Sequence, residues 1–222
     1  RLLFGHAGCS RGFARISGDN YSYINLEGGR SIVSLADGMG CGSTADEYST
    51  RFIELLEHFL DAGFSEESAL GLLNDTFADN DMSGIPVTID MCSINEYEGK
   101  ADFFKMGAVP PGQPFPQQRR AEIGVAIVAS VPAGVISGSI IDHENVELKD
   151  GDYIIMMSDG VLDALPFYDK EKHMKELIEG IEERMPQAIA ERILSEVYFY
   201  DEKIADDMTV LVTGIWRIRN GE

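Results

Sequence analysis

Cysteine is scarce in this chain: three among 222 residues, Cys9, Cys41 and Cys92, odd in number and widely spaced. That argues against a disulfide framework and fits a reducing compartment. No Cys-x-x-Cys pair occurs, so a thiolate zinc site has little basis. No apolar run approaches the length that spans a bilayer. A signal-peptide pattern is also missing, and the chain opens at Arg1 in a strand-like run. We expect a soluble, cytoplasmic domain cut from a longer protein, any membrane anchor belonging to the missing N-terminal region. Basic residues are few: 18 Lys and Arg against 38 Asp and Glu leave a net charge of −20. Such a field repels nucleic-acid backbones and anionic lipid surfaces, which removes both as general partners.

What is present is an ordinary globular composition, 44% hydrophobic and 9% aromatic, enough for one sizeable core. Residues 1–7, 20–26 and 30–36 read as strands separated by Gly-rich turns. A helix should start near Ser43 or Thr44, with Thr44 and Glu47 at capping-box spacing, and end at Gly63. A second should run from Ser65 to about Phe77. Residues 87–94, 101–106, 123–131, 141–148 and 153–157 read as strands, with a Pro-rich loop at 109–118. Helices follow at about 169–184 and 187–199, then a last strand at 208–216. This order is not the alternation of a doubly wound sheet. It predicts a single α+β domain over 1–222, with largely antiparallel sheets and helices packed outside.

Three motif matches are weak. Gly8-Cys9-Ser10-Arg11-Gly12 has the spacing of a serine-hydrolase elbow, but residues 12–18 are too Gly-rich for the helix that an elbow needs. Cys9 and Arg15 have the spacing of a cysteine-phosphatase loop, yet no helix follows to stabilise a thiolate. Residues 79–84 with Asp90 match a calcium loop in part, but Pro86 falls where the loop should be extended, residues 87–94 read as a strand rather than an exiting helix, and Asp90 replaces the bidentate glutamate.

A stronger pattern is aspartate at strand ends. Asp37-Gly38-Met39-Gly40 closes an apolar strand, and Ser158-Asp159-Gly160 closes another. Asp206-Asp207-Met208-Thr209 opens the last strand, and Gly18-Asp19-Asn20 opens the second. Carboxylates at the ends of rigid strands can be aimed at one point. With no histidine or cysteine among them, they suit hard cations such as magnesium or manganese.

The runs Asp37–Gly40, Met157–Gly160 and Asp206–Thr209 resemble the signatures of PPM-class, type 2C-like metal-dependent serine/threonine phosphatases. With Gly18–Tyr23 added, the pattern is most similar to the phosphatase domains of the stage II sporulation protein E family. The resemblance implies two antiparallel sheets packed as a β-sandwich with helices on the outer faces. It implies two Mn²⁺ or Mg²⁺ ions: Asp37 bridging with the Gly38 carbonyl, Asp159 and Asp206 on one ion, Asp19 on the other, and Asp207 a lesser ligand. The implied reaction is attack of a water activated between the ions on phosphoserine or phosphothreonine. The implied partner is a phosphorylated regulatory protein of the anti-anti-sigma type in sporulation control, with a homodimer left open. Arg15 is the candidate phosphate-binding arginine. A catalytically silent binding domain is the alternative, ahead of a cysteine phosphatase using Cys9 and Arg15.

Overall fold

Two antiparallel sheets organise the chain. The computed structural model describes residues 1–40, 42–79, 87–106, 142–200 and 203–216. The expected strand at 123–131, the Pro-rich loop at 109–118, Cys41 and positions 80–86 of the calcium-loop match lie outside them. The element order is β1 (Leu2–Cys9), a 3-10 turn (Arg11–Phe13), β2 (Asp19–Leu26), β3 (Arg30–Gly38), α1 (Ser43–Asp61), α2 (Glu66–Asp79), β4 (Val87–Asn95) and β5 (Lys100–Met106). Then come β6 (Asp142–Glu147), β7 (Tyr153–Met157), α3 (Asp159–Asp163), α4 (Lys170–Glu179), α5 (Pro186–Tyr200) and β8 (Met208–Ile215). The described residues fall into two units, one with residues 1–15, 147–200 and 203–216, the other with 16–40, 42–79, 87–106 and 142–146.

The second unit carries a sheet of order β2-β3-β4-β5-β6. Phe52, Leu56 and Leu60 recur every four residues on α1, so they share one face. They pack with Leu70 and Leu73 of α2 against Ile32, Ile89, Met91, Phe104 and Met106. Each such side chain contributes about 1.5–3 kcal/mol on full burial. Polar contacts fix where the helices sit. Asn20 Nδ2 donates to Asp46 Oδ1 at 3.1 Å and to Ser49 Oγ at 2.8 Å. Ser22 Oγ donates to Glu57, and Ser93 Oγ donates to the buried Glu66 at 2.7 Å. The capping box expected at Thr44 and Glu47 is not formed. The helix begins at Ser43, as expected, but with Gly42 at its N-cap, where φ of 82° suits glycine. Ser65 does cap α2, accepting from Ser68 N at 3.3 Å.

The first unit carries a sheet of order β1-β8-β7. Ile189, Ile193 and Val197 of α5 cluster with Ile155, Val210 and Val212. Pro186 opens α5, where its missing N–H costs nothing. A Cβ on Gly5 would overlap the Pro186–Gln187 backbone, so glycine is what lets β1 and α5 approach so closely. β1 is an edge strand, and Gln187 covers part of that edge. Its side chain accepts from His6 N at 3.0 Å and donates to His6 O at 2.8 Å, as a neighbouring strand would. The expected helix at 169–184 is shorter. Asp169 caps α4 by accepting from Lys172 N, and Gly180 ends it. Residues beyond Gly180 leave the helix, and Arg184 O accepts from Tyr153 Oη at 2.7 Å.

Cys92 is fully buried in β4, and burial pushes its thiol pKa far up, with Asp102 adding to the effect. It is an inert core residue. No described helix is long and apolar enough to cross a membrane.

Candidate functional site

In the five-stranded unit, β2 and β3 are longer than the sequence suggested, and the extra residues are the interesting ones. β2 begins at Asp19 and β3 ends at Gly38. The register sets Asp19 directly opposite Asp37. Directly opposed residues project to the same face, with Cα atoms about 4.5–5.5 Å apart. Both aspartates are therefore held by ladder geometry rather than by a loop. Gly38 N donates to Gly18 O at 3.1 Å, and Asp19 N donates to Ser17 Oγ at 3.2 Å, which tie down the end of the pair. Asp19 is 8% exposed, and Asp37 is half-buried.

Gly38 is dictated by the helix that follows. A Cβ there would lie 2.5 Å from Ala45 O and 3.0 Å from Ala45 C, both backbone atoms in the first turn of α1. Gly40 has φ of 112°, so the return from β3 to α1 also needs glycine conformations. The Asp-Gly-x-Gly pattern thus aims a carboxylate at a sheet end and folds a helix down directly behind it.

The three-stranded unit holds the other aspartates. β7 ends at Met157, and a five-residue helix, α3, starts at Asp159. The sequence reading missed this helix, because five residues are too few to show a period. Asp159 is exposed in its first turn. A Cβ on Gly160 would overlap the Asp207 carbonyl oxygen and lie 3.3 Å from Asp206 Cβ. Glycine there brings α3 against the 206–207 segment. Ser158 stitches the same corner. Its Oγ accepts from Thr209 N at 2.9 Å, and its backbone N–H donates to Thr209 O at 3.0 Å.

Asp206 is exposed, and Asp207 is 5% exposed. Partial burial of the Asp206 carboxyl pushes its pKa up, and the neighbouring carboxylates of Asp159 and Asp207 push the same way. The Asp207 N–H, donating to Asp206 Oδ1 at 2.9 Å, and the Arg11 guanidinium oppose this. Asp159, Asp206 and Asp207 therefore form one electrostatic group. Within it Asp207 is turned to a structural contact: its Oδ1 accepts from Arg11 N at 2.6 Å.

Arg11 is the residue that sequence reasoning passed over. It follows β1 in a tight 3-10 turn, and Gly12 N donates to Ile204 O at 2.9 Å beside it. Ile204 is buried at φ of 49°, a rare conformation for a β-branched residue. The sequence signal was Arg11-Gly12, read only as part of a hydrolase-like spacing. Arg15, the arginine named from sequence, is exposed. Cys9 lies in β1 opposite Met208, and the turn after it is 3-10 rather than an α-helix, so the thiolate-activating helix of a cysteine phosphatase is absent there.

The donor set in both units is carboxylate and carbonyl oxygen, which fits Mg²⁺ or Mn²⁺ and not zinc or copper. Among the described residues no three His, Cys, Asp or Glu side chains are gathered tightly enough to hold an ion on their own. Each unit offers a partial set: a pair, Asp19 and Asp37, in one; Asp159 with Asp206 in the other.

The class follows from comparison with solved structures. The chain superposes on the PP2C phosphatase domain of the cell-fate determinant SpoIIE from Bacillus subtilis, solved with a fragment of its regulatory domain. The TM-score is 0.81 at 29% identity, over 97% of this chain and 63% of that one. The two antiparallel sheets with their helices are the PP2C-type serine/threonine phosphatase fold, a hydrolase fold.

The sequence model described as stage II sporulation protein E (SpoIIE) matches residues 27–215, and the chain belongs to that family. It is 33% identical over 211 residues to stage II sporulation protein E of Priestia megaterium, covering 94% of this chain and 35% of the relative. It is 30% identical over 217 residues to that of Bacillus subtilis (strain 168), covering 97% of this chain and 26% of the relative. The chain thus spans about a quarter to a third of the length of these relatives.

Proposed function

We propose that this domain hydrolyses phosphoserine or phosphothreonine on a regulatory protein of the anti-anti-sigma type, working in the cytoplasm. Asp19, Asp37, the Gly38 carbonyl, Asp159 and Asp206 would hold two divalent cations, Mn²⁺ or Mg²⁺. When bound, the cations supply a water acidified to act as nucleophile and positive charge for the phosphoryl oxygens. Asp207 acts behind these residues, holding the 206–207 segment to the Arg11 backbone.

The observation that carries the reading is the register of Asp19 opposite Asp37. Like charges on directly opposed positions of a ladder are destabilising. A sheet that sets two carboxylates there gains nothing in stability from them, and a divalent cation reverses the sign of that interaction. Membership of the SpoIIE family supports the reaction class.

The test is dephosphorylation of a phosphoserine anti-anti-sigma protein with Mn²⁺, beside a melting curve over a Mn²⁺ titration. The wild type should be active with Mn²⁺, silent in chelator, and more stable with the ion. Asp37→Asn should lose both effects. Full activity in chelator, or unchanged activity in Asp37→Asn, would overturn the reading. Chelator-resistant activity lost in Cys9→Ser would move it to a cysteine mechanism, and metal binding without activity would move it to a silent binding domain.

A further inference from the structure

Beyond the part that Gln187 covers, the edge of β1 borders a groove. The geometry points to this groove as the docking site for an extended segment of the phosphoprotein, one that pairs with the Gly8 backbone and carries a lysine or arginine toward Glu191. This rests on the phosphatase reading above and adds to it the surface that selects the substrate.

The register of β1 leaves backbone groups open beside the groove. The N-terminal nitrogen of Arg1 donates to Trp216 O at 2.7 Å, and Trp216 N donates to Arg1 O at 2.9 Å. In an antiparallel ladder such bonded pairs alternate with pairs whose N–H and C=O turn away from the partner strand. His6 and Gly8 are therefore outward residues of β1. The Gln187 amide bears this out at His6, where it makes both bonds of a strand partner. Gly8, two residues on, is exposed, and among the described residues neither its N–H nor its C=O has a hydrogen-bond partner.

Next to Gly8 the surface is concave. A cavity of about 450 Å³ opens between residues 6–9 of β1 and one stripe of α5, all within the three-stranded unit. The stripe is Gln187, Glu191, Leu194, Ser195 and Tyr198, whose spacing puts them on one helix face. From Gln187 to Tyr198 it runs about 16 Å at about 1.5 Å per residue. That is the length of about five residues of extended chain. Added strands take their affinity from main-chain bonds and their specificity from the side-chain pockets alongside.

Charge decides which segment fits. Glu191 is exposed and is held by Gln187 Nε2 at 2.8 Å. Among the described residues no ion pair engages it. Burial lowers the His6 pKa, so Glu191 carries the charge of the groove at neutral pH. On a chain of net charge −20, such a groove repels an acidic segment and attracts a basic one. Position links the groove to the chemistry. β1 ends at Cys9, opposite Met208, and Arg11 N donates to Asp207 Oδ1 at 2.6 Å. A segment lying along β1 is thus led to the acidic corner of the same unit.

The test gives Mn²⁺-loaded protein two substrates: a phosphoserine anti-anti-sigma protein, and p-nitrophenyl phosphate, which is too small to span the groove. The quantity read is the ratio of kcat/KM for the first to that for the second. Ser195→Tyr fills the groove and should lower this ratio about 10-fold to 100-fold. Glu191→Lys should lower it about 3-fold to 30-fold, mostly through KM and less so at high salt. The dephosphorylated protein, which is not turned over, should slow hydrogen exchange at the Gly8 amide. An equal fall for both substrates would overturn the inference, as would an unchanged ratio in both variants. Slowing that grows with the concentration of this domain alone would put a second copy in the groove and overturn it too. A wild type that turns over neither substrate would remove the phosphatase reading. Slowed exchange at Gly8 would then still uphold the groove as a protein-docking site, and unaltered exchange would overturn that as well.

Discussion

Replacing Gly38 with alanine adds one methyl group beside Asp37 and changes no proposed ligand atom. The new Cβ would lie 2.5 Å from Ala45 O, where ordinary contact begins at 3.4 Å, and 3.2 Å from Ala45 Cα. The obstructing atoms are backbone, so no side chain can swing away. Either the first turn of α1 or the end of β3 must retreat by about 0.9 Å. Overpacking of this kind costs about 1–3 kcal/mol. In a chain of this size 1 kcal/mol lowers Tm by about 2–4 °C, so the expected drop is about 2–12 °C. The catalytic cost should be larger. A displacement near 1 Å at the Asp37 strand end is enough to cost about 100-fold in rate. Thermal unfolding measures the first effect, and Mn²⁺-dependent dephosphorylation well below the Tm of the variant measures the second. A Gly38→Ala protein with Tm within 1 °C of wild type and activity within twofold would refute the reasoning, because α1 would then not be seated against that glycine.

Three smaller predictions concern stability alone. Gly71 in α2 has open space around its Cβ position, so Gly71→Ala should stabilise the domain by about 0.5–1 kcal/mol, read as a higher urea midpoint. Gln187→Leu removes both bonds to the His6 backbone and should cost about 1–2 kcal/mol, with more aggregation on heating as the β1 edge opens. Burial lowers the His6 pKa below its usual 6.5, so its contribution to stability is present above that pH and is lost as pH falls through the folded value. The fall in Tm between about pH 7.5 and about pH 5 should therefore be smaller in His6→Gln than in wild type.

Much of the fold was legible because its elements announce themselves by period. The apolar residues of α1 recur every four positions, and the strands are short apolar runs between turn residues. Boundaries were less legible, and for physical reasons. The strand containing Asp19 reads as starting at Asn20, because an aspartate before an apolar run looks like a turn residue. Only the long-range pairing with Asp37 reveals it as ladder. The Thr44–Glu47 capping box was a local pattern overridden by Gly42, whose backbone can take the N-cap conformation without a side-chain partner. The aspartates themselves stood out by position in the sequence. The contact of Arg11 with Asp207 did not, because no local pattern encodes a partner 196 residues away.

The two Asp-Gly pairs solve the same problem in the same way. In each, the aspartate ends or follows a buried strand, and the glycine after it admits a backbone carbonyl from the next element of the corner. Ala45 O fills that space at Gly38, and Asp207 O fills it at Gly160. A side chain at either position would push that element off and release the aspartate beside it. The dipeptide is therefore a packing signature as much as a chemical one. Asparagine in place of the aspartate would keep the packing and lose the charge; alanine in place of the glycine would keep the charge and lose the aim. If the two losses reduce activity alike while only the second lowers Tm, charge and rigidity are separable requirements at each pair. Among 38 acidic residues, Asp37 and Asp159 would then be distinguished by the backbone carbonyl packed against the glycine that follows each.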